Sequence, residues 1–144
     1  MAGSAVMTPF GEKLRAIRAA RKLALKDMAA GLQVSPAYLS AMEHGRRGKP
    51  SRRFVHRVCQ FLGIIWDDAE ELQRLADLSH PRVVVDTAGL SPRATLLANL
   101  LAQRIDTMDE AALDRLLTLV DPAAAGPAAG PGAGPATGET ETKT

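Results

Sequence analysis

Three times in 144 residues a hydroxyl side chain stands directly before a proline, at Thr8-Pro9, Ser35-Pro36 and Ser91-Pro92. A Ser or Thr oxygen can accept from an otherwise unsatisfied amide of a first helical turn, and a proline in that turn has no amide to satisfy. Each pair therefore marks a helix start. Asp67 with Glu70 and Thr107 with Glu110 add two capping-box spacings. Counting on from these starts, the apolar periodicity predicts helices over 9–21, 25–32, 36–43, 51–62, 67–78, 92–105 and 108–120. Phe10, Leu14 and Ile17 make one stripe; Phe54, Val55, Val58, Cys59 and Leu62 make another, ringed by Arg52, Arg53, His56 and Arg57. Aromatic residues are only 3% of the chain, so the core falls to Leu, Val, Ile, Ala and Met, a palette that suits helices better than sheets. The fold class is all-α.

Charge is unevenly divided along the chain. Residues 1–66 carry twelve Lys and Arg against three acids, whereas 67–121 carry eleven acids against five arginines. A phosphate backbone would attract the first stretch and repel the second, although segregation of this kind also arises on plain solvated surfaces. Enzyme chemistry has little to work with. His44, His56 and His80 fall on separate elements, none at ligand spacing from a carboxylate or from Cys59. Cys59, the single cysteine, sits on an apolar face, where a thiol is an inert hydrophobe rather than a redox sensor. Asp67, Asp68, Glu70 and Glu71 suit the positive end of a helix dipole better than a catalytic carboxylate pair. Trp66 is expected in the core or at the rim of the basic stretch. No catalytic residue, metal site or cofactor is expected. Nothing approaches the run of ~18 apolar residues that spans a bilayer, and Met1 to Phe10 has neither a basic nor an apolar leader segment. The expectation is a cytoplasmic protein with no membrane partner.

The most informative stretch runs from Leu23 to Gly45. Two helices of eight or so residues are separated by Gln33-Val34-Ser35, and Met28, Ala29, Leu32, Val34, Leu39 and Met42 have the spacing to pack them at a steep angle. With Leu39 and Met42 inward, Pro36, Ala37, Ser40, Ala41 and His44 form the opposite stripe. Such small residues let a helix lie deep in a major groove about 12 Å wide. Ser35 and the amides of the first turn would then point at phosphate.

Phe10-Gly11, Leu14-Arg15, Ile17-Arg18, Met28-Ala29, Val34-Ser35, Tyr38-Leu39-Ser40, Glu43, Gly45 and Pro50-Ser51 together resemble the Cro/lambda-repressor-like, Xre-type helix-turn-helix family. The resemblance covers Thr8 to Ile64 and implies a compact helical bundle that binds duplex DNA, usually as a dimer. It implies an ion pair between Arg18 and Glu43, base-facing positions at Pro36, Ala37, Ser40 and Ala41, and a phosphate-touching loop at Lys49 and Ser51. Arg52 and Arg53 are read as further phosphate contacts. The chain departs from the pattern at Ala24, where a hydroxyl cap is common, at Leu25, where a glutamine often meets phosphate, and at Gln33. There a non-glycine residue must adopt a left-handed conformation, at a cost of roughly 1 kcal/mol. The base-facing stripe also lacks Arg, Asn and Gln. Either Pro36, Ala37 and Ala41 read thymine methyls with Ser40 adding one hydrogen bond, or the loop around His44, Arg46 and Arg47 supplies specificity. Phosphate binding alone is an equal alternative for that loop.

Beyond this segment, Arg82 to Thr87 is a β-branched run, either an extended linker or a short strand needing a partner. Leu96, Leu97, Leu100, Leu101 and Ile105, then Leu113, Leu116, Leu117 and Val120, predict a hairpin of two amphipathic helices. The expected organisation is a flexible terminus (1–8), a helix-turn-helix domain (9–66), a connecting helix (67–80), an extended segment with a helical hairpin for dimerisation (81–121), and a disordered Pro/Ala/Gly-rich tail (122–144). The functional expectation is a sequence-specific double-stranded DNA-binding transcriptional regulator, a repressor that occupies a palindromic operator as a homodimer. The competing expectation is an antitoxin-like or adaptor protein whose acidic leucine-rich half captures a protein partner.

Overall fold

The computed structural model describes residues 6–123; residues 1–5 and 124–144, which include most of the tail expected to be disordered, lie outside it. The described residues contain α-helices and one 3-10 turn, with no strand, so the Arg82–Thr87 run pairs with nothing here. The chain divides into two compact units, the first ending at Val84 and the second beginning at Val85.

The first unit holds α1 (Pro9–Ala20), α2 (Leu25–Leu32), α3 (Pro36–His44), α4 (Arg52–Leu62) and α5 (Trp66–Asp77). Hydroxyl caps start three of them. Thr8 accepts from the Gly11 amide, Ser35 from Tyr38 and Ser51 from Phe54, at 3.0, 3.0 and 3.1 Å. Left-handed residues stop four: Lys22, Gln33, Gly45 and Gly63, with φ of 53°, 60°, 76° and 67°. After each, the next amide reaches back five residues to a helical carbonyl, the 6→1 bond of a Schellman ending. Ala24 leaves α2 without a side-chain cap.

Around one core, α1 packs on α3 and α5, α2 on α3 and α4, and α4 on α5. Phe10, Leu14, Met28, Leu32, Leu39, Met42, Val55, Val58 and Leu72 fill it. Phe54 joins the layers edge-on to both Phe10 and Tyr38, at centroid distances of 6.3 and 5.9 Å. Helix α5, expected as a connector, belongs to this core: Leu72 and Ala76 are buried. Ser79, just beyond it, is also buried; its hydroxyl accepts from the Phe10 amide at 2.9 Å and donates to the Leu75 carbonyl. That serine ties the end of α5 to the start of α1.

Two capping expectations need correction. The residue preceding α5 is Ile65, so Asp67 lies inside the first turn rather than in front of it. Helix α7 (Glu110–Val120) is capped by Asp109, which accepts from Ala112 at 2.8 Å, whereas the Thr107 hydroxyl donates to the Arg104 carbonyl. At α7 the nearer Asp109 outcompetes the box, whereas α5 begins with no side-chain cap. Of the two places expected for Trp66, core or rim, its 81% exposure excludes the core.

The second unit carries α6 (Pro92–Arg104), the 3-10 turn Ile105–Thr107 and α7. Neither helix has a buried residue. Leu101, Met108, Leu113 and Leu116 are half-buried, while Leu96, Leu97, Ile105, Leu119 and Val120 lie open.

Candidate nucleic-acid interface

The geometry of α3 begins with what holds its far end. Glu43 is 2% exposed, and its carboxylate accepts two hydrogen bonds from the Arg18 guanidinium, at 3.1 and 3.0 Å. The Glu43 carbonyl meanwhile accepts from the Thr8 amide at 3.2 Å. Helix α1 can come this close only because residue 11 is glycine; a Cβ there would lie 1.9 Å from the Glu43 carbonyl oxygen. A bidentate fork, a backbone bond and a missing side chain thus fix α3 rigidly on α1.

Held this way, α3 turns Leu39 and Met42 inward and leaves Pro36 and Ala37 exposed, with Ser40, Ala41 and His44 half-buried. The small-residue stripe is therefore real surface at its N-terminal end and shallower towards its C-terminus. The His44 ring turns back along the helix, donating from Nδ1 to the Ser40 carbonyl at 2.7 Å. Ser35 is exposed, but its hydroxyl oxygen is occupied by the Tyr38 amide.

The loop after α3 owes its shape to Gly45 and Gly48, both with positive φ, and to buried Pro50. It presents Arg46 and Arg47 to solvent. The Arg47 guanidinium rests 5.0 Å from the centre of the Tyr38 ring, a cation–π contact that aims it alongside α3. Lys49 instead meets Asp77 of α5 at 3.6 Å, with both side chains about half exposed. Ser51 spends its oxygen on the α4 cap. Arg52 and Arg53 follow, exposed and without an ion pair among the described residues. Ser35, Pro36 and Ala37 at one end of α3, and Arg46, Arg47, Arg52 and Arg53 after it, thus form two exposed groups flanking the half-buried residues between them.

Two arginines that sequence reasoning passed over reach across to the ends of other helices. Arg57 donates to the Leu32 carbonyl at the end of α2, and Arg21 to the Leu62 carbonyl at the end of α4, the latter at 2.6 Å. Both place a cation on the negative end of a helix dipole. Charge count alone cannot single out such structural arginines; a helix end 25 or 41 residues away is invisible to local pattern. Burial pushes the Cys59 thiol above its ordinary pKa, which keeps it protonated and unreactive. Among the described residues no cluster of His, Cys, Asp or Glu could hold a metal ion, and no helix is long and apolar enough to cross a membrane.

Comparison with known proteins bears on the same unit. Residues 9–75 match a family model described as a helix-turn-helix domain. In Bacillus subtilis, the uncharacterized HTH-type transcriptional regulator RghRB is 34% identical over 62 residues, 43% of this chain and 45% of that protein. The HTH-type transcriptional repressor RghR of the same organism is 38% identical over 61 residues, 42% of this chain and 45% of its own length. The match therefore spans less than half of each of these relatives. No solved structure matches significantly.

Proposed function

Residues 9–75 being a helix-turn-helix domain, we propose that the chain is a sequence-specific double-stranded DNA-binding transcriptional regulator, a repressor acting as a homodimer on a palindromic operator. The observation that carries this reading is the clamped α3. Its exposed end is narrow, Pro36 and Ala37, and the Arg18–Glu43 fork holds it in one orientation. A helix that must enter a groove benefits from both properties, because every degree of freedom removed beforehand is not lost on binding.

In this reading Pro36, Ala37, Ser40 and Ala41 face the bases through apolar contact and one hydroxyl. Arg46 and Arg47 reach a groove edge, and Ser35, Lys49, Ser51, Arg52 and Arg53 track phosphate. His44 contributes through its free Nε2 edge, since Nδ1 is engaged. Lys49 must exchange Asp77 for phosphate, a small cost for a half-exposed pair. A dimer supported by the open leucines of α6 and α7 would double the contacts and favour half-sites about 34–36 Å apart. The operator is occupied rather than chemically altered, so repression follows from blocking a promoter.

The same unburied α6 and α7 favour one other reading, in which their leucines capture a different protein and DNA binding is secondary. Selection of fragments from sheared genomic DNA by the full chain, at two salt concentrations, separates the two. Recovery of an inverted repeat that persists at the higher salt is the result expected of a dimeric repressor. Binding without enrichment that collapses with salt reduces the activity to phosphate attraction and favours the adaptor.

A further inference from the structure

Between α5 and α6 the chain runs Arg82-Val83-Val84-Val85-Asp86. Val83 to Asp86 lie in no helix, turn or bend, and the three valines are 73%, 93% and 64% exposed. Valine favours strands because its branched side chain packs against neighbours on a pleated surface. Here the amides and carbonyls of Val83, Val84 and Val85 enter no hydrogen bond among the described residues. An exposed row of unpaired backbone groups is a template for another strand. The ends of the row are already engaged. The Arg82 amide donates to His80 Nδ1 at 3.1 Å, and Asp86 Oδ1 accepts from the Ala88 amide at 2.9 Å, where the chain turns. The Arg82 guanidinium and the second Asp86 oxygen have no partner among the described residues.

We infer that this run is a self-complementary strand, pairing antiparallel with the same run of a second copy of this chain about a two-fold axis at Val84. In that register Arg82 lies opposite the second copy's Asp86, Val83 opposite its Val85, and Val84 opposite its Val84; the two-fold repeats each pair. The two charges flank Val84 at equal distances and are opposite in sign, so both ends match at once. Parallel pairing would set Arg82 against Arg82 and Asp86 against Asp86, and a slip of one residue parts both ion pairs. The hydrogen bonding agrees. With Val84 at a non-hydrogen-bonded pair, the Val83 amide donates to the second copy's Val85 carbonyl, and the Val85 amide to its Val83 carbonyl. Those groups have no partner within the chain, while the Arg82 amide, on the other edge, keeps His80. Pro81 falls at the next bonded pair and has no amide to donate, so the ladder weakens there. Exposed ion pairs add little strength; their part is to select the register. A foreign strand would need the same charges in reverse order, which a second copy supplies by symmetry. A two-stranded ribbon alone is marginal in water. The inference therefore rests on the homodimer proposed above and deepens it: the open leucines of α6 and α7 supply area, and the valine run fixes the axis.

Val84→Cys in the full chain tests the axis. The Cα atoms of a non-hydrogen-bonded pair stand about 4.5 Å apart, within reach of a disulfide. Under mild oxidation this variant should give a covalent dimer in step with the doubled mass seen by sedimentation over a dilution series. Val83→Cys, whose own counterpart lies two residues along, should link several-fold more slowly. The only native cysteine, Cys59, is buried, so the unaltered chain serves as the blank. Adding Arg82→Asp to Val84→Cys, or separately Asp86→Arg, should slow linking several-fold with helicity unchanged, since each sets like charges opposite one another. Mixing those two charge variants should restore the rate and yield the mixed dimer, because an acidic-ended strand then meets a basic-ended one. Doubled mass with Val84→Cys linking no faster than Val83→Cys, or with linking indifferent to the charge variants, overturns the strand contact while leaving the homodimer standing. A monomer at all concentrations overturns both.

Discussion

Gly11 shows how much one residue can settle. Its missing Cβ admits the Glu43 carbonyl into space a methyl group would occupy, the overlap being against backbone rather than a flexible side chain. Gly11→Ala should therefore displace the end of α3, costing on the order of 1–3 kcal/mol in urea denaturation and weakening DNA binding by more than stability alone accounts for. Glu43 behaves differently. Removing it leaves the Arg18 side chain, 13% exposed, without a carboxylate, so Glu43→Ala is expected to cost roughly 3–5 kcal/mol, measured the same way. At the loop, Arg46→Ala and Arg47→Ala should leave the circular dichroism spectrum intact. Each that meets phosphate flattens the salt slope of binding by about one; each that reads a base costs about 1–3 kcal/mol at its own site only. If neither affinity nor site preference moves, the loop lies off the DNA.

Among the elements, α2 and α5 carry testable local costs. Gln33 ends α2 at φ 60°, in the region glycine occupies freely. Gln33→Gly should raise stability by about 1 kcal/mol or somewhat less, the strain relieved being partly offset by the freer unfolded chain. In α5 the Arg74 side-chain hydrogen bond holds the Glu71 carboxyl below its usual range, at 2.9 Å, partly opposed by desolvation. A carboxyl whose folded pKa is lowered stabilises above its unfolded pKa and loses that contribution as pH falls through the folded value. Glu71→Gln should therefore flatten the acid limb of the stability curve below about pH 4.3, and only slightly, because the pair is exposed. Element starts were legible at all three hydroxyl–proline pairs: Thr8 and Ser35 cap in sequence-local bonds, whereas Ser91 precedes α6 without a side-chain cap bond. At α5 and α7 the spacing pointed to Asp67 and Thr107, and the helices began elsewhere: at α7 Asp109 caps in place of Thr107, and α5 begins at Trp66 without a side-chain cap.

For the molecule as a whole, the buried Cys59 offers a gauge of the first unit's integrity. The residue is 7% exposed, and burial holds its thiol protonated. Alkylation by a neutral reagent near pH 8 should proceed at the rate set by opening of the core, and should slow further when operator DNA is bound. Fast alkylation indifferent to denaturant would mean the α4 face is not closed. The division of labour between sequence and structure is clearest here. Helix positions, the helical class, the inward stripe of α4 and the left-handed Gln33 follow from the sequence, because caps, periodicity and steric preference act within a few residues. The Arg18–Glu43 pair was implied by the family resemblance, but tertiary structure alone decided that Arg21 and Arg57 are structural, turning to carbonyls 41 and 25 residues away. It also drew α5 into the core through Leu72, Ala76 and Ser79, and put Trp66 outside it. Those outcomes depend on which distant surfaces meet, and a local pattern carries no record of distance in space.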